Sequence, residues 1–472
     1  MSPEETPGLL HTVWNYDFKW TEDHVEADAK QPMKYTYDTL AEQALERLDL
    51  ISPPPSTSSA RQAIQKAESD QSTQPAQRDL YALLRDNAGK DEVLATLWEE
   101  VNRVPEWVDW EQIERGQKVF YRYAVGALTG LAFQGLIGGM ASNRVVETLA
   151  RTGGFNTKIA RHRFFETFQH VLECTKSLPD IQPGGAGHAS TVRVRLLHAS
   201  VRRRIMKLIE TRPQYYDHQA FGTPINDLDC IQAIGTYSSN LLFLQLPRQK
   251  IYPREQEIDD YIALFRYIAH IVGTPTDAYE SPKKAKAWME SIMLTEIDPT
   301  ETSKILANNI IKCLEDTPPV YLSKEFLEVG SRWLNGKDLC DGLGIGNPGY
   351  YYWALMAGQC WLSKVVAYTA RAIPWLDELQ ISYFRQLLYR YIVEGDTLGG
   401  PSKFDFKYVP TAGQKTTYED DVPRPAEAKA AFSIETVYLY AFVVGVLAMM
   451  LMGGLGLKLS VGLSRGLVGV VS

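Results

Sequence analysis

The chain has little cysteine, no surplus of basic charge and few stretches that alternate with a period of two. Each shortage excludes a class of protein. Its 472 residues hold five cysteines, Cys174, Cys230, Cys313, Cys340 and Cys360, scattered and without a CxxC pair. An odd, dispersed set gives neither a disulfide framework nor a cysteine zinc site, and it fits a reducing compartment or a cytosol-facing domain. Acidic residues outnumber basic ones, 57 to 49, so the basic stripe that nucleic acid requires is missing and no nucleic-acid partner is expected. Met1-Ser2-Pro3-Glu4-Glu5 offers neither a basic n-region nor an apolar h-region; no cleaved signal peptide is expected. The best strand candidate is the short stretch Lys403–Pro410, and it is weak.

What the chain does have is helical periodicity, which makes an all-α fold the expectation. Apolar residues recur at helical spacing in Tyr37–Leu50, Asp91–Val101, Trp110–Tyr123, Thr191–Glu210, Asp229–Leu244, Glu255–Val272, Pro282–Met293, Thr300–Glu315 and Ser323–Leu334, with Pro and Gly between them. Residues 52–78 are rich in Pro, Ser and Gln and read as a linker. The expected organisation is an N-terminal extension with linker over 1–78, a helical body over 79–430, and a hydrophobic C-terminal segment over 431–472.

Two uncharged stretches are long enough to cross a membrane. Ala124–Asn143 carries Gly, Ser, Gln and Asn, which suits a buried core helix better. Thr436–Leu457 has Tyr438 and Tyr440 at one end and Lys458 at the other, the arrangement of interfacial anchors, and reads as a membrane helix.

The chemistry-bearing residues crowd into 147–204. His198 lies in an amphipathic pattern among Arg193, Arg195, Arg202, Arg203 and Arg204. A neutral imidazole ligates haem iron, and arginines pair with propionates; Arg202 is one turn from His198. The same arginines would also make a solvated basic face. Arg163, Glu166, Thr167 and His170 share helical spacing. His162, Glu166 and His170 form an i, i+4, i+8 row that could hold a metal or simply hydrogen-bond along a polar face; it is not the HExxH signature. Glu147, at the end of an apolar segment, is either a proton-transfer group of raised pKa or an ordinary helix carboxylate. The Gly-rich loop Pro183–His188 lacks the Lys-Ser/Thr of a phosphate loop.

Four stretches in this order, WVDWEQIERGQKVFYRY from Trp107, RVVETLARTGGF from Arg144, RHRFFETFQ from Arg161 and VRVRLLHASVR from Val192, resemble the family that joins latex-clearing rubber oxygenases with fungal MpaB-type oxygenases. The resemblance runs from about Val101 to Tyr279 and looks closer to the fungal branch. It implies a globin-like helical bundle with one haem b. In the motif R-L-x-H-A-x-V-R the proximal iron ligand falls on His198 and the following arginine on Arg202. In R-x-x-K-T the distal arginine and threonine fall on Arg163 and Thr167, and a distal base sixteen residues earlier falls on Glu147. The lysine of that motif is Glu166 here, a departure that leaves carboxylate ligation open. The resemblance further implies O2-dependent cleavage of an alkene in a hydrophobic, prenylated small molecule, at the endoplasmic reticulum membrane with the body facing the cytosol; the electron donor is unknown. The alternatives are a non-catalytic haem-binding or membrane scaffold protein, and a non-haem metalloenzyme built on His162, Glu166 and His170.

Overall fold

Leu10–Val13 (β1) and Tyr16–Lys19 (β2) pair antiparallel, with Val13 opposite Tyr16. The two-residue turn between them puts Trp14 and Asn15 at φ 51° and 58°, the left-handed conformation that matches the twist of a tight hairpin. A tryptophan pays steric strain there. It is held by the rest of the chain: its indole donates to the Met293 carbonyl, and Arg248 donates to its own carbonyl at 2.6 Å. This computed structural model describes residues 6–54, 78–152, 157–317, 320–395, 402–404 and 433–468. The expected linker lies mostly outside them; so does most of Lys403–Pro410, of which Lys403 and Phe404 form no strand.

Helices dominate the rest. Among the described residues, the α-helices of seven residues or more are α1 Thr39–Ile51, α2 Leu80–Asn87, α3 Glu92–Asn102, α4 Trp110–Arg122, α5 Ala124–Gly130, α6 Asn143–Thr152, α7 Thr157–Thr175, α8 Ala186–Thr211, α9 Asp227–Tyr237, α10 Glu255–Val272, α11 Pro282–Thr295, α12 Glu301–Leu314, α13 Lys324–Asn335, α14 Tyr350–Ala372, α15 Pro374–Ile392 and α16 Ile434–Val468. Their starts follow capping chemistry. Asp38, Asp79, Asp91, Asp109, Ser281, Thr300 and Ser323 each accept a hydrogen bond from the first turn they cap. The all-α expectation is met. Asp229–Leu244 is split: α9 stops at Tyr237, and a π-helical turn follows at Leu241–Gln245.

The stretch Ala124–Ala141 is 61% buried and is a core element. It passes from α5 into a second π-helical turn, Leu131–Ile137. Glycine permits that packing: a Cβ at Gly130 would sit 2.6 Å from Gln245 Oε1. The two π turns are tied together where Gln245 Nε2 donates to Gln134 Oε1 at 2.6 Å.

One core cluster joins α1, α3, α4, α7, α8 and α10 through Leu45, Leu97, Phe120, Leu172, Leu196 and Leu264. A second joins α6, α12, α13 and α14 through Val146, Ile310, Phe326 and Met356. Each fully buried Leu or Phe contributes about 1.5–3 kcal/mol. α1 buries Ala41, Ala44, Leu45 and Leu48 and packs on α8, so residues 39–51 share the core of the body. α16 packs on α14, with Tyr438 stacked on Phe326. Its first eighteen residues are only 17% buried, and they are apolar and long enough to cross a membrane.

Candidate active site

The site is built on the pair α7 and α8. Gly187 permits their contact, since a Cβ there would lie 2.6 Å from the Glu173 carbonyl. Cys174 Sγ is 3.4 Å from Thr191 Oγ1, and His170 Nδ1 is 3.1 Å from Ser190 Oγ. Gly187 sits against Glu173 and Cys174 while Ser190 sits against His170, so lower numbers on α7 meet higher numbers on α8 and the helices run antiparallel. From His170 back to Arg163 is about 10.5 Å of helix, and from Ser190 on to His198 about 12 Å. Arg163 thus comes level with His198, across from it on the neighbouring helix, with Thr167 one turn away toward His170.

His198 lies deep in the protein yet keeps part of its surface uncovered, as a side chain does when it faces an internal space and not packed atoms. It makes no hydrogen bond among the described residues. Burial, then Arg202, His170 and Arg163, push its pKa down to about 4, so the imidazole is neutral. Tyr237 shares the same combination of depth and residual surface, and Thr167 beside it is half-buried. Thr167 Oγ1 donates to the Arg163 carbonyl at 3.0 Å, and the Tyr237 phenol interacts with Thr167. Burial raises that phenol to about 12, so it stays protonated and can donate. Tyr237 ends α9, and no motif or spacing in the sequence marks it.

Glu166 points into a polar nest. Ser402 Oγ donates to it at 2.5 Å, His162 Nε2 lies 3.3 Å away and Arg163 3.8 Å away. Burial alone would raise its carboxyl; His162, Arg163 and Ser402 hold it below the usual range. The row His162, Glu166, His170 does not close on one point: His170 bonds Ser190. Among the described residues no group of three His, Cys, Asp or Glu side chains could hold a metal ion. All five cysteines are free thiols.

Glu147 is buried, but its surroundings are polar and not apolar. Thr302 Oγ1 donates to it at 2.5 Å and Arg151 pairs with it. Its partners are a guanidinium and a hydroxyl, not the apolar walls expected. Arg151 also packs over the rings of Tyr215 and Tyr216. Arg144 of the same motif bridges Asp229 and Glu296 in the interior.

The arginines around His198 are mostly spent elsewhere. Arg193 forks onto Asp79, Arg195 onto Asp38 with Glu100, and Arg203 reaches Asp49 and Glu46. Arg202 is buried, donates to the carbonyls of Pro224 and Ile225 at 3.2 and 2.9 Å, and covers the Tyr37 ring. These side chains staple α8 to its neighbours, because a buried guanidinium must find acceptors. Of the residues expected at the site, the structure sets Arg163 near His198 from the neighbouring helix, with Thr167 one turn along from Arg163. Glu166 borders them through Arg163, while Arg202 turns its guanidinium to other partners.

Two comparisons bear on the family and the fold. A family model described as ER-bound oxygenase mpaB/B'/Rubber oxygenase, catalytic domain, matches residues 121–363. Among solved structures, the chain is similar to latex clearing protein in the closed state, with a TM-score of 0.54 and 17% identity over 75% of this chain and 91% of that one. No curated protein sequence matches it.

Proposed function

This chain belongs to the ER-bound oxygenase mpaB/B'/rubber oxygenase family, and we propose that it is a haem b-dependent oxygenase acting on the alkene of a hydrophobic, prenylated small molecule. The observation that carries the haem reading is His198: a neutral imidazole, deep in the protein but partly uncovered, without a hydrogen-bond partner among the described residues and level with Arg163. That is the state an iron ligand needs, since a protonated ring has no lone pair to give.

Haem iron, when held by His198, would supply the binding and activation of O2. The chain's own residues supply the rest. Arg163 sets a positive charge beside the space, where negative charge on oxygen is favoured. Thr167 and Tyr237 bring hydroxyls that orient a bound polar atom or water. Glu147 is the assigned proton acceptor, its charge balanced by Arg151. Glu166 is assigned to holding Arg163 and His162 in place.

Cleavage of C=C by O2 to two carbonyls is balanced in itself: the two alkene carbons lose four electrons and the two oxygen atoms gain them. No external reductant is consumed in the net reaction. A prenylated substrate partitions into lipid, which fits α16 as a membrane anchor, with the body on the cytosolic side of the endoplasmic reticulum.

The test is turnover of prenylated alkenes under 18O2 with product analysis. Two carbonyl fragments, each carrying one labelled oxygen, support the proposal. A product of unchanged chain length carrying a single labelled oxygen would replace cleavage by hydroxylation or epoxidation. Haem-loaded protein with no turnover of any alkene would favour a carrier.

A further inference from the structure

Three irregular pieces of backbone meet at one cavity. The π-helical turn Leu131–Ile137 gives Gln134 and Gly135 to its wall, the π-helical turn Leu241–Gln245 gives Leu244, and the hairpin gives Trp14, held at φ 51°. π-helical turns and left-handed residues other than glycine are costly, and they persist mostly where a site needs them. The cavity encloses about 680 Å³ of unfilled space, part of it open to solvent. Trp288, Met289 and Met293 of α11 add an apolar wall.

The lining carries one charge. Arg248 lies deep in the protein but partly uncovered, and among the described residues no Asp or Glu lines the cavity with it. Its guanidinium donates to the carbonyls of Leu334 and of Trp14, the latter at 2.6 Å, and to nothing else among the described residues. Arg144 and Arg195, also in the interior, each hold two carboxylates. Burial pushes Arg248 down to about 10, so it is charged at neutral pH. An interior cation ordinarily has an anion beside it, and here the room for one is the cavity. The neutral groups of the wall agree. Gln134 and Gln232 have their side-chain oxygens taken by Gln245 and Ser142. Their amide N–H groups, like those of Asn240, have no acceptor among the described residues, so the wall offers donors and no anion of its own.

We propose that this cavity binds an organic carboxylate, its anionic group on Arg248 and its apolar body against Trp14, Trp288 and Met293. It is a second site, apart from the space at His198. α9 stands between the two. Ile231, Gln232, Gly235 and Thr236 line the cavity, whereas Cys230 and Tyr237, on the opposite face at 3.6 residues per turn, turn to Arg202 and Thr167. A ligand in the cavity therefore bears on the helix that carries Tyr237.

The full chain is titrated calorimetrically with octanoate and with phenylacetate, each beside its uncharged amide, in the parent, Gly139→Leu, Arg248→Gln and His198→Ala. Gly139 lines the cavity and a Cβ there meets nothing within 4 Å, so leucine takes up the space and spares Arg248. The expected result is a carboxylate bound by the parent about tenfold or more tighter than its amide. That binding is kept in His198→Ala and lost in Gly139→Leu and Arg248→Gln. Should Arg248→Gln fail to fold for want of its two carbonyl bonds, Gly139→Leu decides alone. Equal affinity for acid and amide, parent-like binding in Gly139→Leu, or no binding of either acid overturns the proposal. Loss of binding in His198→Ala overturns it too, by moving the carboxylate to the His198 space. So does displacement by chloride at equal concentration, which would make the cavity a bare anion site.

Discussion

Ser190 Oγ lies 3.1 Å from His170 Nδ1, and this bond turns His170 away from the His162–Glu166 pair and toward α8. Ser190→Ala leaves a buried ring nitrogen without its partner, which costs about 1–3 kcal/mol. Urea unfolding should show that loss. Because the bond is structural, His162→Ala and His170→Ala should retain the iron content per folded chain. Loss of iron in His162→Ala would restore the metal row.

Acid should weaken the cofactor-free chain through the same residue. Burial pushes His170 down to about 4, against an ordinary value of 6.5. The unfolded chain then binds the proton that the folded chain refuses, so stability rises with pH between these values and falls as pH drops from 6.5 toward 4. The slope from this one group is at most about 1.4 kcal/mol per pH unit. His170→Phe, which fills the site with an apolar ring, should flatten that part of the stability–pH curve. An unchanged curve would show that His170 is solvated and titrates normally.

Glu147 and Arg151 form a buried ion pair braced by Thr302. Removing one partner strands the other charge. Arg151→Met should cost about 3–5 kcal/mol, and the double variant Glu147→Gln, Arg151→Met should recover part of that loss. A double-mutant cycle by thermal or urea unfolding measures it; full additivity would mean that the two charges do not interact.

Arg202 gives the sharpest contrast with the motif. Its fork onto the Pro224 and Ile225 carbonyls cannot be reproduced by lysine, a single-point donor. Arg202→Lys should lower stability by about 1–3 kcal/mol while the haem content of the folded fraction is kept. Haem loss without destabilisation would return Arg202 to the cofactor.

Much of this architecture was legible in the amino-acid order. Glu255–Val272 was bounded by sequence alone, because Pro253 precedes it and Gly273, at φ 77°, closes it. His198, Arg163 and Thr167 were named from spacing and resemblance, and the antiparallel pairing of α7 and α8 sets Arg163 opposite His198. The hairpin at Leu10–Lys19 was missed because Trp14 and Asn15 are not the Asn-Gly pair that advertises such a turn; tertiary bonds to Met293 and Arg248 impose it. α14 and α15 were missed because aromatic residues surround them on all faces, which erases a period. Tyr237 and the pairing of Glu147 depend on contacts between segments distant in sequence, and no local pattern carries those. The arginines around His198 misled for the same reason: their acceptors, Asp38, Asp79 and Asp49, lie more than a hundred residues away.

The central claim is that His198 is the iron ligand. Its most direct test is the visible absorption spectrum of the purified protein beside His198→Ala, with pyridine haemochrome analysis of both. The account predicts a haem b spectrum in the parent, lost in His198→Ala and retained in His170→Ala. Equal haem in His198→Ala, or a parent that takes up no haem on reconstitution, would contradict it.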